Sequence, residues 1–258
     1  MNASASESVS FDRAAGFYDA TRGLPPEVAR AQTALLLSEL GDAGRPVLEI
    51  GVGTGRISAP LADRHRIVGI DLSREMLRVL AGKRSGVVAV EADAVRLPFG
   101  SATFEGAIAC HVLHLVRDWR RAVDEVQRVL APGGVLLASR GRPRSGLPSE
   151  LDRRLRRAAG LTGMFIGLDD LDELDADLTA KGWAVRSLGP IPQPSRWSVA
   201  NYFDAIECNL FSWTWPLSEE QRLAAVREVR AWVTAELGDP ARTPMPVGPI
   251  RWRAYRRP

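Results

Sequence analysis

An α/β fold with a mostly parallel sheet and helices on both faces is predicted by three observations. Residues 46–60 (P-V-L-E-I-G-V-G-T-G-R-I-S-A-P) set a short apolar run directly before three closely spaced glycines and a helix start. Comparable apolar runs recur at 67–71, 86–91 and 103–110, separated by helical stretches, which is the alternation of a wound sheet. Carboxylates (Glu49, Asp71 and Asp93) stand at the ends of three successive runs, where open parallel sheets bind ligands.

A chain of 258 residues can bury a full core, and one domain with insertions is expected over 1–258. The 45% hydrophobic and 25% charged content is that of a soluble globular protein. No apolar run approaches the roughly 20 residues of a membrane span. Residues 1–10 are small and polar without a basic start, so they read as a frayed terminus rather than a secretory signal, and a cytoplasmic location is expected. Cys110 and Cys208 are far apart and fit neither a disulfide framework nor a metal site. The net charge of +3 is small. Basic clusters at 153–157 and in the tail 251–256 lack interleaved aromatics, so they read as solvated faces and no nucleic-acid partner is expected.

The glycine turn decides the ligand class. Gly51, Gly53 and Gly55 let the backbone approach a bound molecule and offer N–H groups at the positive end of the expected helix to an anionic group. A dinucleotide fingerprint needs a small third residue for close helix packing, and that position is Arg56. Glu49 sets a carboxylate beside the turn, which suits an ammonium or sulfonium better than a pyrophosphate.

The segment V-L-E-I-G-V-G-T-G at 47–55 resembles the first motif of class I S-adenosylmethionine-dependent methyltransferases, in the branch similar to the quinone-biosynthesis enzymes. The resemblance covers roughly the first 140 residues. It implies a Rossmann-like seven-stranded sheet, an N-terminal helical lid, a C-terminal insertion before the last strand, and S-adenosyl-L-methionine as cofactor with S-adenosyl-L-homocysteine as product. It also places Glu49, Gly51, Gly53 and Gly55 at the methionine end of the cofactor.

In chain order, 11–40 is the lid: a preface at 11–23, in which Tyr18 and Arg22 resemble the family's closing segment, then a helix that starts after Pro25-Pro26 and runs to about Leu40, ended by Gly41. Residues 45–140 form the cofactor-binding core. A helix is expected after the glycine turn to about Arg64. Asp71, at the end of the second strand, is spaced to accept hydrogen bonds from ribose hydroxyls, and Ser73 caps the next helix. By the resemblance Leu72 and Met76 pack near the adenine, and Asp93 with Ala94 meets its amino group. A fourth strand at 103–110 ends beside His111 and His114, which are the candidate general bases, while Cys110 touches the cofactor through its backbone. A helix follows at 118–130, with a Pro-Gly-Gly turn into a fifth strand at 135–139.

Beyond it lie a polar loop at 141–146, helices at 147–159 and 169–181, a strand at 183–188, and an aromatic stretch at 199–215 that suits an apolar or aromatic acceptor. Residues 141–246 are the helical and aromatic substrate-side region, with a long helix at 217–237, and 247–258 carry the last strand. The expected activity is in-line methyl transfer to a small molecule by a monomer or homodimer, with oxygen, nitrogen and carbon acceptors all compatible and no metal required. Its rivals are a nicotinamide oxidoreductase, opposed by Arg56, Glu49 and Asp93; a non-catalytic S-adenosylmethionine-binding or partner module; and an RNA methyltransferase, whose recognisable motifs are missing.

Overall fold

In the computed structural model, residues 9–42, 44–140, 145–161, 166–195 and 197–258 are described. The frayed terminus expected over residues 1–10 and the polar loop expected at 141–146 fall largely outside them. The described chain divides into two units.

The first unit holds residues up to 140 with 166–191 and 250–258. Its opening segment carries a 3₁₀ turn, Asp12–Ala14, and a short helix α1, Tyr18–Arg22. Helix α2, Pro26–Leu40, starts with proline in its first turn, where the missing N–H costs nothing, and ends at Gly41 with φ +71°. Then follow β1 Val47–Ile50, β2 Ile67–Asp71, α3 Arg74–Gly82, β3 Val88–Glu91, β4 Phe104–Cys110, α4 Trp119–Val129 and β5 Leu130–Ser139. Helix α3 is capped by the Ser73 hydroxyl, which accepts from the Met76 N–H at 3.1 Å, and α4 by Asp118, which accepts from Arg121 at 3.2 Å.

The second unit contributes α5, Gly146–Ala158. The chain then re-enters the first unit as α6 Leu171–Ala180 and β6 Ala184–Ser187, leaves it for α7 Val199–Glu207 and α8 Glu219–Glu236 of the second, and closes on β7 Trp252–Arg256 in the first.

Seven strands in the order β3-β2-β1-β4-β5-β7-β6 make one sheet, parallel throughout except for β7, which runs antiparallel to β5 and β6. The expected seven-stranded sheet with an antiparallel last strand is therefore formed. Central β1 is buried along its whole length, while β3 and β6 at the edges are largely exposed. Alternation splits the apolar side chains between two layers. Leu48, Ile50 and Ile70 meet Trp119, Val126 and Leu174 on one face, and Val47, Ile67 and Ile108 meet Leu36, Leu40 and Leu61 on the other.

The second unit has its own core, in which Leu151 and Leu155 pack with Phe203, Ile206, Val226 and Val233. Its helices α7 and α8 both start in capping boxes, Ser198 with Asn201 and Ser218 with Gln221. Arg156, 4% exposed, pairs with Asp152 at 3.0 Å and lies over the Trp213 ring. The expected aromatic stretch thus contributes to this core through Phe203, Tyr202, Phe211 and Trp213.

One element departs from expectation. No α-helix runs from the glycine turn to Arg64; the chain makes successive turns and a single 3₁₀ turn, Ala59–Leu61. Pro60 explains this, because it has no N–H to give to residue 56 and restricts the residue before it. The Ala59 N–H still reaches the Gly55 carbonyl at 2.9 Å, but the next bond, from Leu61 to Ser58, has already tightened to the 3₁₀ pattern. The positive helix end expected to face the ligand is consequently absent.

Candidate functional site

The strand order reverses between β1 and β4, and there the carboxyl ends of β1 to β4 surround a cleft with about 660 Å³ of unfilled space, part of it open to solvent. Gly51 and Gly53 form its floor, Asp71, Leu72 and Met76 one side, Ala92, Asp93 and Ala94 one end, and Cys110, His111 and Val112 the other. Val9, Phe11 and Tyr18 of the opening segment also line it.

Packing and ligand access separate the glycines. A Cβ on Gly51 would lie 2.5 Å from the Val112 side chain, and one on Gly55 would lie 2.5 Å from that of Leu80. Gly53 has φ +54° and nothing within 4 Å of such an atom, so it lies open under the cleft. Asp71 holds this turn, accepting from the Gly53 and Ser73 N–H groups at 2.8 Å each. Burial pushes its carboxyl up, against the pull of the Ser73, Gly53 and Leu72 N–H groups. A carboxylate offers about four lone-pair positions, so acceptor capacity remains for a ligand hydroxyl.

Glu49 is not in the lining. It is 2% exposed beneath the turn, accepts from the Ser58 hydroxyl and neighbours Arg56. Burial pushes it up to about 8, so it holds its proton near neutrality and the charge argument for a cationic ligand does not apply there. Arg56 lies beside Tyr18 and Cys110. Burial likewise pushes the Cys110 thiol up to about 12 and keeps it protonated.

Across the sheet, Cys110 pairs with Ser139, and the His111 N–H bonds to the Ser139 carbonyl at 2.9 Å, so His111 and Arg140 leave the sheet side by side. His111 is half-buried with φ +53°, a strained value for a residue with a Cβ. Burial, then the charges of Arg56, Arg140 and Arg22, push its imidazole down to about 3. His114 is 9% exposed in the 3₁₀ turn Leu113–Leu115, outside the lining, and burial holds it well below its ordinary value.

The opening segment is fastened at three places. The Val9 N–H bonds to the Leu115 carbonyl at 3.2 Å. Asp12 accepts from the Ser73 hydroxyl at 2.6 Å and the Glu75 N–H at 3.3 Å. Asp19 accepts from the Thr54 hydroxyl at 2.6 Å and pairs with Lys83 at 2.7 Å, while Lys83 also donates to the Thr54 carbonyl.

Of the residues singled out by sequence, Tyr18, Gly51, Gly53, Asp71, Leu72, Met76, Asp93, Ala94, Cys110 and His111 come together in the lining, whereas Arg22, Glu49, Gly55 and His114 lie outside it. Sequence reasoning missed Ile50, Ile70 and Ala92, whose apolar character marks a strand but not which end faces a ligand. It also missed that Arg56 and Arg140 stand behind the lining near His111. The signal for Arg56 was a large basic residue where close packing wants a small one, and Arg140 carried none beyond following a strand. Among the described residues no group of His, Cys, Asp and Glu is placed to hold a metal, and no helix is long and apolar enough to cross a membrane.

Residues 48–138 match the family described as "Methyltransferase domain". The chain is 37% identical over 142 residues to a malonyl-[acyl-carrier protein] O-methyltransferase of Methylovorus sp. strain MP688, covering 50% of this chain and 48% of that protein. It is 33% identical over 132 residues to a demethylmenaquinone methyltransferase of Renibacterium salmoninarum, covering 50% of this chain and 56% of that one. The chain thus spans about half the length of the curated relatives it matches. In structure it resembles an S-adenosylmethionine-dependent methyltransferase of Thermotoga maritima, described as a possible histamine N-methyltransferase, with TM-score 0.59, 18% identity and coverage of 96% and 98% of the two chains. Residues 48–138 thus match the methyltransferase-domain family, and the chain shares the α/β fold of the Thermotoga maritima structure.

Proposed function

We propose that the chain transfers a methyl group from S-adenosyl-L-methionine to a small-molecule acceptor. The observation that carries this reading is the open space above Gly53, bounded by Asp71 at the end of β2 and Asp93 beyond β3. A nucleoside bearing an amino-acid chain suits such a cleft. Asp71 keeps acceptor capacity for ribose hydroxyls, the Asp93 region faces the adenine edge, and Leu72, 37% exposed, with Met76 offers apolar contact to the base. The backbone at Gly51, Gly53 and Cys110 is assigned to the methionine end, with Tyr18 closing over it. Arg22, Glu49 and Gly55 are assigned support from behind the lining.

When bound, the cofactor supplies a methyl group activated by its attachment to positive sulfur. What the chain must then add is mainly alignment and exclusion of water, and the fastened segment with Phe11 and Tyr18 is suited to both. His111 is assigned to the acceptor side and His114 to support behind it. A small-molecule acceptor agrees with the demethylmenaquinone named for one curated relative, whereas the malonyl group named for the other is carried on a protein.

Calorimetric titration with S-adenosylmethionine, S-adenosylhomocysteine and NAD tests the reading. Micromolar binding of the first two and none of NAD is expected. NAD binding alone overturns the cofactor assignment, and binding of none favours a non-catalytic module.

A further inference from the structure

A continuous line of hydrogen bonds joins the opening segment to the carboxylate at the end of β2. Ser73 stands between two carboxylates: its O–H donates to Asp12 Oδ1 at 2.6 Å and its N–H to Asp71 Oδ1 at 2.8 Å. The other oxygen of Asp71 takes the Gly53 N–H at 2.8 Å. The next residue, Thr54, donates its hydroxyl to Asp19 Oδ1 at 2.6 Å. Lys83 closes that end, pairing with Asp19 Oδ2 at 2.7 Å and donating to the Thr54 carbonyl at 2.8 Å. Ser73 and Lys83 cap the two ends of α3, so one rigid element carries both fastenings.

Resting on the methyltransferase reading, we propose that Asp12 and Asp19 are positioning residues for the ligand. Through Ser73 and Thr54 they fix Asp71 and the Gly53 turn, so closure of the opening segment and ligand holding at Asp71 are one event. Neither aspartate lines the cleft, whereas Asp71 does, as do Phe11 and Tyr18 of the segment itself.

The coupling follows from donors and acceptors. Ser73 and Thr54 are 0% and 1% exposed, so burial makes an acceptor for each hydroxyl proton obligatory, and the opening segment supplies both. Ser73 also accepts from the Met76 N–H at 3.1 Å, which leaves its own O–H to point at Asp12. Asp71 carries one backbone N–H on each oxygen, so the plane of its carboxylate follows those two amides. A shift of Ser73 or of the Gly53 turn therefore swings the lone pairs that remain for ribose hydroxyls. Because a carboxylate accepts at every link, the bonds are short and directional.

The test is a double-mutant cycle in the full chain, read by calorimetric titration with S-adenosylhomocysteine and by amide hydrogen exchange over residues 9–22. Asp12→Asn and Asp19→Asn should each weaken S-adenosylhomocysteine binding about threefold, and the double variant about tenfold, with faster exchange over the segment. In an Asp71→Ala background the same two changes together should cost less than about twofold, because the carboxylate they position is gone. Thr54→Val should match Asp19→Asn without altering any charge, while Thr54→Ser keeps the hydroxyl and should keep wild-type affinity and exchange.

Wild-type affinity in the double variant overturns the proposal. So does a loss that persists undiminished in the Asp71→Ala background, since the segment would then act through Phe11 and Tyr18 alone. Should Asp71→Ala not fold, the Thr54 pair decides, and equal affinities of Thr54→Val and Thr54→Ser overturn it. If the wild type itself fails to bind S-adenosylhomocysteine, the cofactor reading falls and the network is judged by exchange alone. Asp71→Ala should then speed exchange over residues 9–22 as Asp12→Asn does, and unchanged exchange rejects the coupling.

Discussion

Glu49→Gln should make the protein more stable at alkaline pH. In the folded chain Glu49 titrates at about 8 instead of 4.5, chiefly because burial penalises its charge. Below the lower value both folded and unfolded states hold the proton, and nothing is lost. Between the two values the unfolded chain ionises while the folded one does not, so stability falls as pH rises by about 1.4 kcal/mol per unit. From near pH 5 to near pH 8.5 the wild-type loss from this group comes to about 4 kcal/mol. Glutamine has the shape of the protonated acid, keeps an acceptor for the Ser58 hydroxyl and does not titrate. The assay is urea unfolding of both proteins at the two pH values. Variant and wild type should agree within about 1 kcal/mol near pH 5, with the variant ahead by about 4 kcal/mol near pH 8.5. A difference independent of pH would refute the reasoning. So would a variant less stable at the alkaline value, which would mean that Glu49 is charged and paired with Arg56 in the fold.

Two further outcomes follow from the site. Asp71→Ala should weaken S-adenosylhomocysteine binding by about 1.5–3 kcal/mol, the value of hydrogen bonds to a charged group, as read by calorimetry; unchanged affinity removes Asp71 from the site. His111→Gly should relieve the left-handed strain at φ +53° and raise stability by about 1 kcal/mol in thermal unfolding. In the wild type, methyl transfer should show no titration step near the ordinary histidine range, because the imidazole lies at about 3; a step there that disappears in the variant would restore His111 as general base.

Much of the fold was legible in the sequence because the residues that direct it act locally. The apolar run of β1, the N-cap Ser73 and the proline opening α2 each announce an element through its own period or cap. The missing helix after the glycine turn was legible too, since Pro60 forbids it, but the glycine pattern outweighed that signal. In the site, strand-end carboxylates could be found by position, because strand ends share one edge of a parallel sheet. Burial could not. Glu49 and Asp71 look alike in sequence, yet Glu49 points beneath the turn to Ser58 while Asp71 borders the cleft. His111 and His114, three residues apart, likewise separate into a lining and a buried position. Whether a polar side chain meets ligand or core depends on which way a short turn sends it, and that depends on distant residues such as Leu168 and Gly167, whose N–H groups bond to the carbonyls of Leu113 and His114.

The proposed cofactor and acceptor sites share parts, and this bears on how binding of the two would be linked. Tyr18 lines the cleft and lies beside Arg56, which neighbours Cys110 at the acceptor end. One helical turn spans Tyr18 to Arg22, so ordering Tyr18 also orders a second guanidinium. One of the three fastenings of this segment, Asp19 with Lys83 and Thr54, is half exposed at its carboxylate and contributes at most about 1 kcal/mol. A contact that weak lets the segment open for entry of a ligand. A ligand that presses on Tyr18 adds its own binding energy to the closed form.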